Sequence, residues 1–225
     1  MNPIHFSWRR AGVAAALAAA VLLGGCATQR QPYDYTAFRQ AKPASLLVLP
    51  PVNESPEVKG GIGVLSQVTL PLAEAGYYVL PVSLVEETFR ENGLHTPDDI
   101  HALDRAKLRE VFGADAAVYL TVKQYGTSYA VISSNTVVAV EGRIVDLRSG
   151  ELLWQGKAMA SSAEQQQSNQ AGLVGLLVQA VVSQIIATST DAGYRYAGLA
   201  SQRLLSGGMV NGVLYGPRSP KYGQP

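Results

Sequence analysis

The hydrophobic pattern changes character several times along the chain. An uncharged, Ala-rich run from Ala11 to Leu23 comes first. A polar, Pro- and Gln-containing stretch over 27–44 has few aliphatics. Ser45–Pro50 is a short apolar run closed by Pro50-Pro51 and predicts a buried strand. After a polar loop over 53–59, Val64, Leu65, Val68, Leu72 and Ala75 recur near helical spacing, so 61–75 predicts a helix. Pro71 should kink or split it, and Gly76 should stop it before a strand at 77–80.

Capping signals divide the next stretch. Ser83 with Glu86 three residues on fits a capping box, for a helix running to about Asn92 and ending at Gly93. Thr96-Pro97-Asp98-Asp99 opens another helical turn, and Asp104–Phe112 a third, ending at Gly113. Ala116–Val122, extended by 123–129, reads as a strand, followed by strands at 131–147 and 152–160. The last two flank Asp146-Leu147-Arg148-Ser149-Gly150, a tight turn with Gly where positive φ is wanted. Trp154 on this hairpin is the expected packing anchor.

A strongly apolar segment over 171–187 predicts a helix buried on more than one side. A second membrane span is the competing reading, weakened by its shortness, its glycines and the lack of flanking basic residues. Helix continues over 191–206, and 209–225 is a Gly/Pro-rich tail without periodicity. The order β-α-β-α-α-β-β-β-α-α predicts an α/β (α+β) domain: a mixed sheet with helices packed on it, one early parallel crossover and a later meander.

The first run gains meaning from its flanks. Arg9 and Arg10 precede it, and Leu23-Gly24-Gly25-Cys26 ends it. A basic segment, an apolar segment and small residues before a cut site make a secretory signal. The run is short of the roughly 20 residues a span needs. Leu, two small residues and Cys form a lipobox, in which the Cys26 thiol takes diacylglycerol. Three acyl chains would anchor the chain permanently, since about two suffice. Ala27, in place of a retaining Asp, favours the outer membrane. The organisation expected is signal peptide 1–25, lipidated tether 26–44, periplasm-facing domain 45–208 and tail 209–225. Tyr33, Tyr35 and Phe38 of the tether are candidates to dock on the body.

Composition narrows the function. Cys26 is the single cysteine, so the domain is held by its core and not by disulfides. The chain has 18 basic and 17 acidic residues; loss of Arg9 and Arg10 leaves 16 against 17, or −1. No polybasic surface for nucleic acid is expected.

Metal ligation would draw on His95 and His101, which at i+6 share no helical face and read as surface residues. Gly60-Gly61-Ile62-Gly63 follows a strand and opens a helix, yet lacks both the Walker ending and the dinucleotide pattern, so it reads as a helix entry. Ser128 sits in strand-like sequence and not in a nucleophile elbow. Asp98 and Asp99 read as helix-entry residues, and Asp115 as a partner of turn amides. No catalytic, metal or cofactor residue is assigned. The tyrosines at 77, 78, 125, 129, 194, 196, 215 and 222 suit either an interface or strand packing.

Several stretches together resemble one family: the lipobox, LVLPPVN (47–53), PLAEAGYYVLPV (71–82), FGADAAVYL (112–120), the hairpin from Asp146 through Trp154, and YGPRSPKY (215–222). The chain resembles the bacterial lipoprotein family catalogued as domain of unknown function 799. The resemblance implies an outer-membrane lipoprotein on the periplasmic face. It also implies a fold similar to the amino-terminal domain of TolB and related to the periplasmic domain of CsgG. By that analogy the expected role is protein interaction in envelope transport or secretion. The expected partners are envelope proteins, a CsgG-like lipoprotein or further copies of the chain. The alternative is a domain that binds a small ligand or acts on envelope substrates, using a pocket near Asn53–Gly63.

Overall fold

The computed structural model describes residues 32–130, 133–166 and 192–224. Helix α1 (Thr36–Ala41) is followed by β1 (Ser45–Val48), β2 (Val52–Asn53), α2 (Gly60–Glu74), β3 (Tyr78–Val79), α3 (Val82–Glu91), α4 (Pro97–His101) and α5 (Arg105–Phe112). Then come β4 (Ala116–Ala130), β5 (Ser133–Asp146), β6 (Leu152–Ser161), α6 (Ala163–Gln166) and α7 (Ala192–Leu205).

One mixed sheet has the order β3-β1-β4-β5-β6. β1 is parallel to both β3 and β4, while β4, β5 and β6 form the expected antiparallel meander. β2 also lies parallel to β4, further along it than β1. The two are one strand interrupted at Pro50-Pro51, which have no N–H to donate. Leu49 N still reaches Val118 O at 3.1 Å, and pairing resumes until Glu54 N meets Val122 O at 2.9 Å.

Strand alternation sends successive side chains to opposite faces. Leu47, Leu49, Ala117 and Tyr119 join Val85, Phe89, Ile100 and Leu108 of α3–α5 in one core cluster. Leu46, Val48, Val118 and Leu120, all fully buried, take the opposite face. There α2 packs on α7, and α7 on β4, β5 and β6. Trp154 is 1% exposed on this second face and donates from Nε1 to Asn211 O at 3.0 Å. It fills the space left by the paired glycines Gly142 and Gly156, where an added Cβ would lie 3.7 and 2.4 Å from its ring.

Several expectations are corrected. Ser83 is not an N-cap: Pro81 is, without a side-chain capping bond, and Ser83 lies within the first turn of α3. Pro71 does not split α2, which runs unbroken to Glu74. The segment over 53–59 is not wholly loop, because β2 reaches Asn53. The residues after 208 lack periodicity as expected, but they pack: Val213 is buried, Gly216 N donates to Ala75 O at 2.8 Å and Arg218 N to Gly76 O at 3.1 Å. Phe38 is buried, and Tyr35 Oη donates to Gly212 O at 2.5 Å. Cys26, the lipobox and the apolar segment over 171–187 lie outside the described residues. Among the described residues no helix is long and apolar enough to cross a membrane.

Candidate functional site: a charged trough across the sheet

Helices α3–α5 cover β1 and the start of β4, and leave much of the β4–β5–β6 surface on their side uncovered. Two cross-strand rows stand there, Tyr119–Arg143–Gln155 and Thr121–Glu141–Lys157. With His101 they line a cleft of about 520 Å³. A second space of about 510 Å³ shares Tyr119, Arg143 and Gln155 and continues toward Arg105 and Leu152. Together the two make a trough walled by α4 and the start of α5.

Local sequence sets the wall. Thr96 caps α4, its Oγ1 accepting from Asp99 N at 3.3 Å, while Pro97 occupies the first turn and Ile100 is buried. That docking brings His101 over Pro50, and His101 Nε2 lies 2.9 Å from Pro50 O. A carbonyl only accepts, so the proton sits on Nε2 and a neutral ring keeps Nδ1 as an acceptor. Burial holds the imidazole below its ordinary pKa; the Pro50 hydrogen bond and Asp98 oppose this, and the Arg143 charge adds to it. His101 is therefore a half-buried neutral residue, not the surface residue expected; His95 is exposed.

His101 meets Tyr119 edge to face, with centroids 5.2 Å apart at 83°. The Arg143 guanidinium lies 4.5 Å above the Tyr119 ring, a cation–π arrangement that flattens and orients both side chains. Burial raises the Tyr119 pKa, with Arg143 opposing, so the phenol remains a hydrogen-bond donor. Asp104 at the rim is occupied, its Oδ1 accepting from Ala106 N at 2.7 Å as the N-cap of α5. The trough is thus lined by a flat guanidinium, a phenol, an imidazole and the opposed pair Glu141 and Lys157. Those groups can bind carboxylates, amides and extended chains. Among the described residues no three His, Cys, Asp or Glu converge as a metal site.

The residues singled out by sequence fall elsewhere. Asn53 is consumed by its own turn, Nδ2 donating to Glu57 O at 2.8 Å and Oδ1 accepting from Ser55 Oγ at 2.7 Å. The glycine run is the entry of α2, and a Cβ at Gly60 would sit 2.8 Å from Asn53 Oδ1. Asp115 accepts from Ala44 N, Ser45 N and Ser45 Oγ at 2.9 to 3.1 Å and pairs with Arg148 at 2.8 Å, the amide-satisfying role expected of it. The tyrosines divide: Tyr77 and Tyr125 are buried, whereas Tyr78, Tyr194 and Tyr222 are about half exposed. Sequence reasoning passed over Tyr119, Arg143, Gln155 and Lys157. For the last three the signal was polar alternation within β5 and β6, which marks a wet face without saying what stands opposite.

Residues 33–218 match the family described as "Putative lipoprotein GNA1162-like". "Putative lipoprotein NMB1124/NMB1162" of Neisseria meningitidis serogroup B is 50% identical over 203 residues, covering 90% of this chain and 94% of that protein. The crystal structure of lipoprotein GNA1162 from Neisseria meningitidis superposes with a TM-score of 0.50 at 48% identity, covering 64% of this chain and 99% of that one. The lipoprotein family expected from the motifs agrees with the match over most of the chain: the protein belongs to the GNA1162-like lipoprotein family.

Proposed function

We propose that the chain is acylated at Cys26, held at the periplasmic face of the outer membrane, and used as a protein-interaction module in envelope transport or secretion. By the resemblance read in the motifs, its domain is of the kind found in TolB and CsgG, and its partners are envelope proteins or further copies of itself. It acts by binding and not by catalysis. The observation that carries this reading is the trough: Tyr119 lies under Arg143 on an uncovered sheet face. Beside it, on edge strand β6, Leu152 is 41% and Met159 53% exposed. Tyr and Arg beside exposed apolar side chains are the composition of binding hot spots.

A photocrosslinking residue at Gln155, introduced in intact cells, tests the surface. Adducts with another envelope protein or a second copy are expected, and are lost in Arg143→Ala. Recovery of monomer alone would sink the reading. Mass spectrometry of the mature N-terminus tests Cys26 separately: a triacylated cysteine is expected.

A second reading keeps the trough as a small-ligand site. The cleft volume of about 520 Å³ supports it, being the size of ordinary ligand pockets. Native mass spectrometry of the purified protein would show a bound molecule that Arg143→Ala releases.

A further inference from the structure

The segment that follows the anchor and the end of the chain are tied together on the face opposite the trough. Tyr35 Oη bonds Gly212 O, Tyr77 Oη bonds Leu214 O at 2.6 Å, and Trp154 Nε1 bonds Asn211 O. Arg39 and Lys42 of the first segment border one recess with Tyr215 and Tyr222 of the second. Lys221 Nζ lies 5.5 Å from the centroid of the Tyr215 ring. Arg39, Lys42, Lys221 and Tyr222 are all exposed. Asp34 stands near the start of this surface, but its carboxylate is engaged by Thr36 N and Thr36 Oγ1. The result is a basic, tyrosine-bordered surface in a chain whose mature charge is close to neutral.

Its position along the sequence says what it meets. Eight residue steps separate Cys26 from Asp34, and a fully extended chain spans at most about 3.6 Å per residue. A lipid at Cys26 therefore holds Asp34 within about 29 Å of the headgroups, and Arg39 and Lys42 follow within three turns of backbone. Phospholipid headgroups are anionic or zwitterionic. Lys and Arg near such a surface are attracted to it, and tyrosine, apolar with a polar tip, suits the interfacial layer.

We propose that Arg39, Lys42 and Lys221, with Tyr215 and Tyr222, form a membrane-facing surface that rests on anionic phospholipid headgroups, turning the trough away from the bilayer. The inference relies on acylation at Cys26, as proposed above, and adds an orientation that acylation alone does not fix. A domain on an unoriented tether would tumble, whereas this one presents the same face outward.

The test uses the mature acylated protein in phosphatidylethanolamine vesicles containing phosphatidylglycerol. A fluorophore is placed on Gln40→Cys, beside the basic surface, or on Lys157→Cys, in the trough, and quenched by a headgroup-borne quencher. Stronger quenching at 40 than at 157 is expected. The difference should disappear in Arg39→Glu/Lys42→Glu/Lys221→Glu, in neutral phosphatidylcholine vesicles, and at 1 M salt, where screening shortens to about 3 Å. Equal quenching at both sites in a protein that floats with the vesicles would overturn the orientation and leave the anchor standing. A protein that fails to float with the vesicles would overturn both.

Discussion

Single residues carry much of the order at the ends of the sheet strands. One carboxylate, Asp115, gathers two backbone amides, a hydroxyl and a guanidinium where β1 and β4 begin. Burial pushes its pKa up, but the hydrogen bonds from Ala44 and Ser45 and the Arg148 charge outweigh it, leaving the carboxyl below the ordinary 3.8. A depressed carboxyl stabilises the fold above its unfolded pKa, and that stability drains away as pH falls through the folded value. Asp115→Asn should cost about 2 kcal/mol at neutral pH in denaturant titrations. It should also flatten the loss of stability below about pH 4. His101 follows the same sign: its pKa lies below 6.5, so its contribution is full above that value and is lost on acidification. Imidazole proton shifts should titrate with a midpoint below 6.5, and Arg143→Ala should raise that midpoint by removing a facing positive charge.

At the scale of elements, the two helices behind the sheet are set by the absence of side chains. Gly63 on α2 and Gly193 on α7 both abut the Tyr125 ring of β4: an added Cβ would lie 2.6 Å from its Oη at Gly63 and 2.4 Å from its Cε1 at Gly193. Tyr125 is thus a wedge whose thickness fixes both helices. Gly63→Ala should destabilise the fold by about 1–3 kcal/mol through overpacking. Because the closest atom is the hydroxyl, Gly63→Ala/Tyr125→Phe should cost less than the two single substitutions added together, which a double-mutant cycle in urea would measure. Strictly additive costs would show that the Tyr125 hydroxyl does not set the position of α2.

The local signals for elements divide into those that held and those, Ser83 as a cap and Pro71 as a helix break among them, that did not. Thr96, Asp104, Gly93 and Gly113 bound their helices as read, because a cap needs only its own few residues. The hairpin held for the same reason: Asp146 Oδ1 accepts from Arg148 N and Ser149 N, and Gly150 has φ +79°. Ser83 failed because Pro81, extended at ψ 112°, already provides the helix entry. Val82 is then helical, and an N-cap must itself be non-helical.

For the whole molecule, the segments over 34–42 and 209–224 act as one clasp. The segment after 208 supplies the carbonyl partners of Tyr35, Tyr77 and Trp154 and pairs with the backbone at Ala75 and Gly76. Burial lifts the Tyr77 phenol far above its usual range, so it stays a donor throughout the physiological span. Removal of residues 209–225 should leave that donor and the Trp154 indole without partners, at about 1–3 kcal/mol each. A clear drop in thermal midpoint is expected; an unchanged midpoint would show that the segment is an appendage.

What the sequence determined by itself is whatever short stretches encode: the lipobox motif, a lipoprotein family, the parallel crossover and the meander, the hairpin, and the caps other than that of α3. Each of these depends on periodicity or on residues a few positions apart. Tertiary structure alone decided that Tyr119, Arg143 and Lys157 share one face with His101, and that Arg39 and Lys42 stand beside Tyr215 and Tyr222. Those groupings follow from strand register and from where the segments over 34–42 and 209–224 come to rest. Both are set by burial summed over the entire core, and a one-residue slip in register would send every side chain of a strand to the other face.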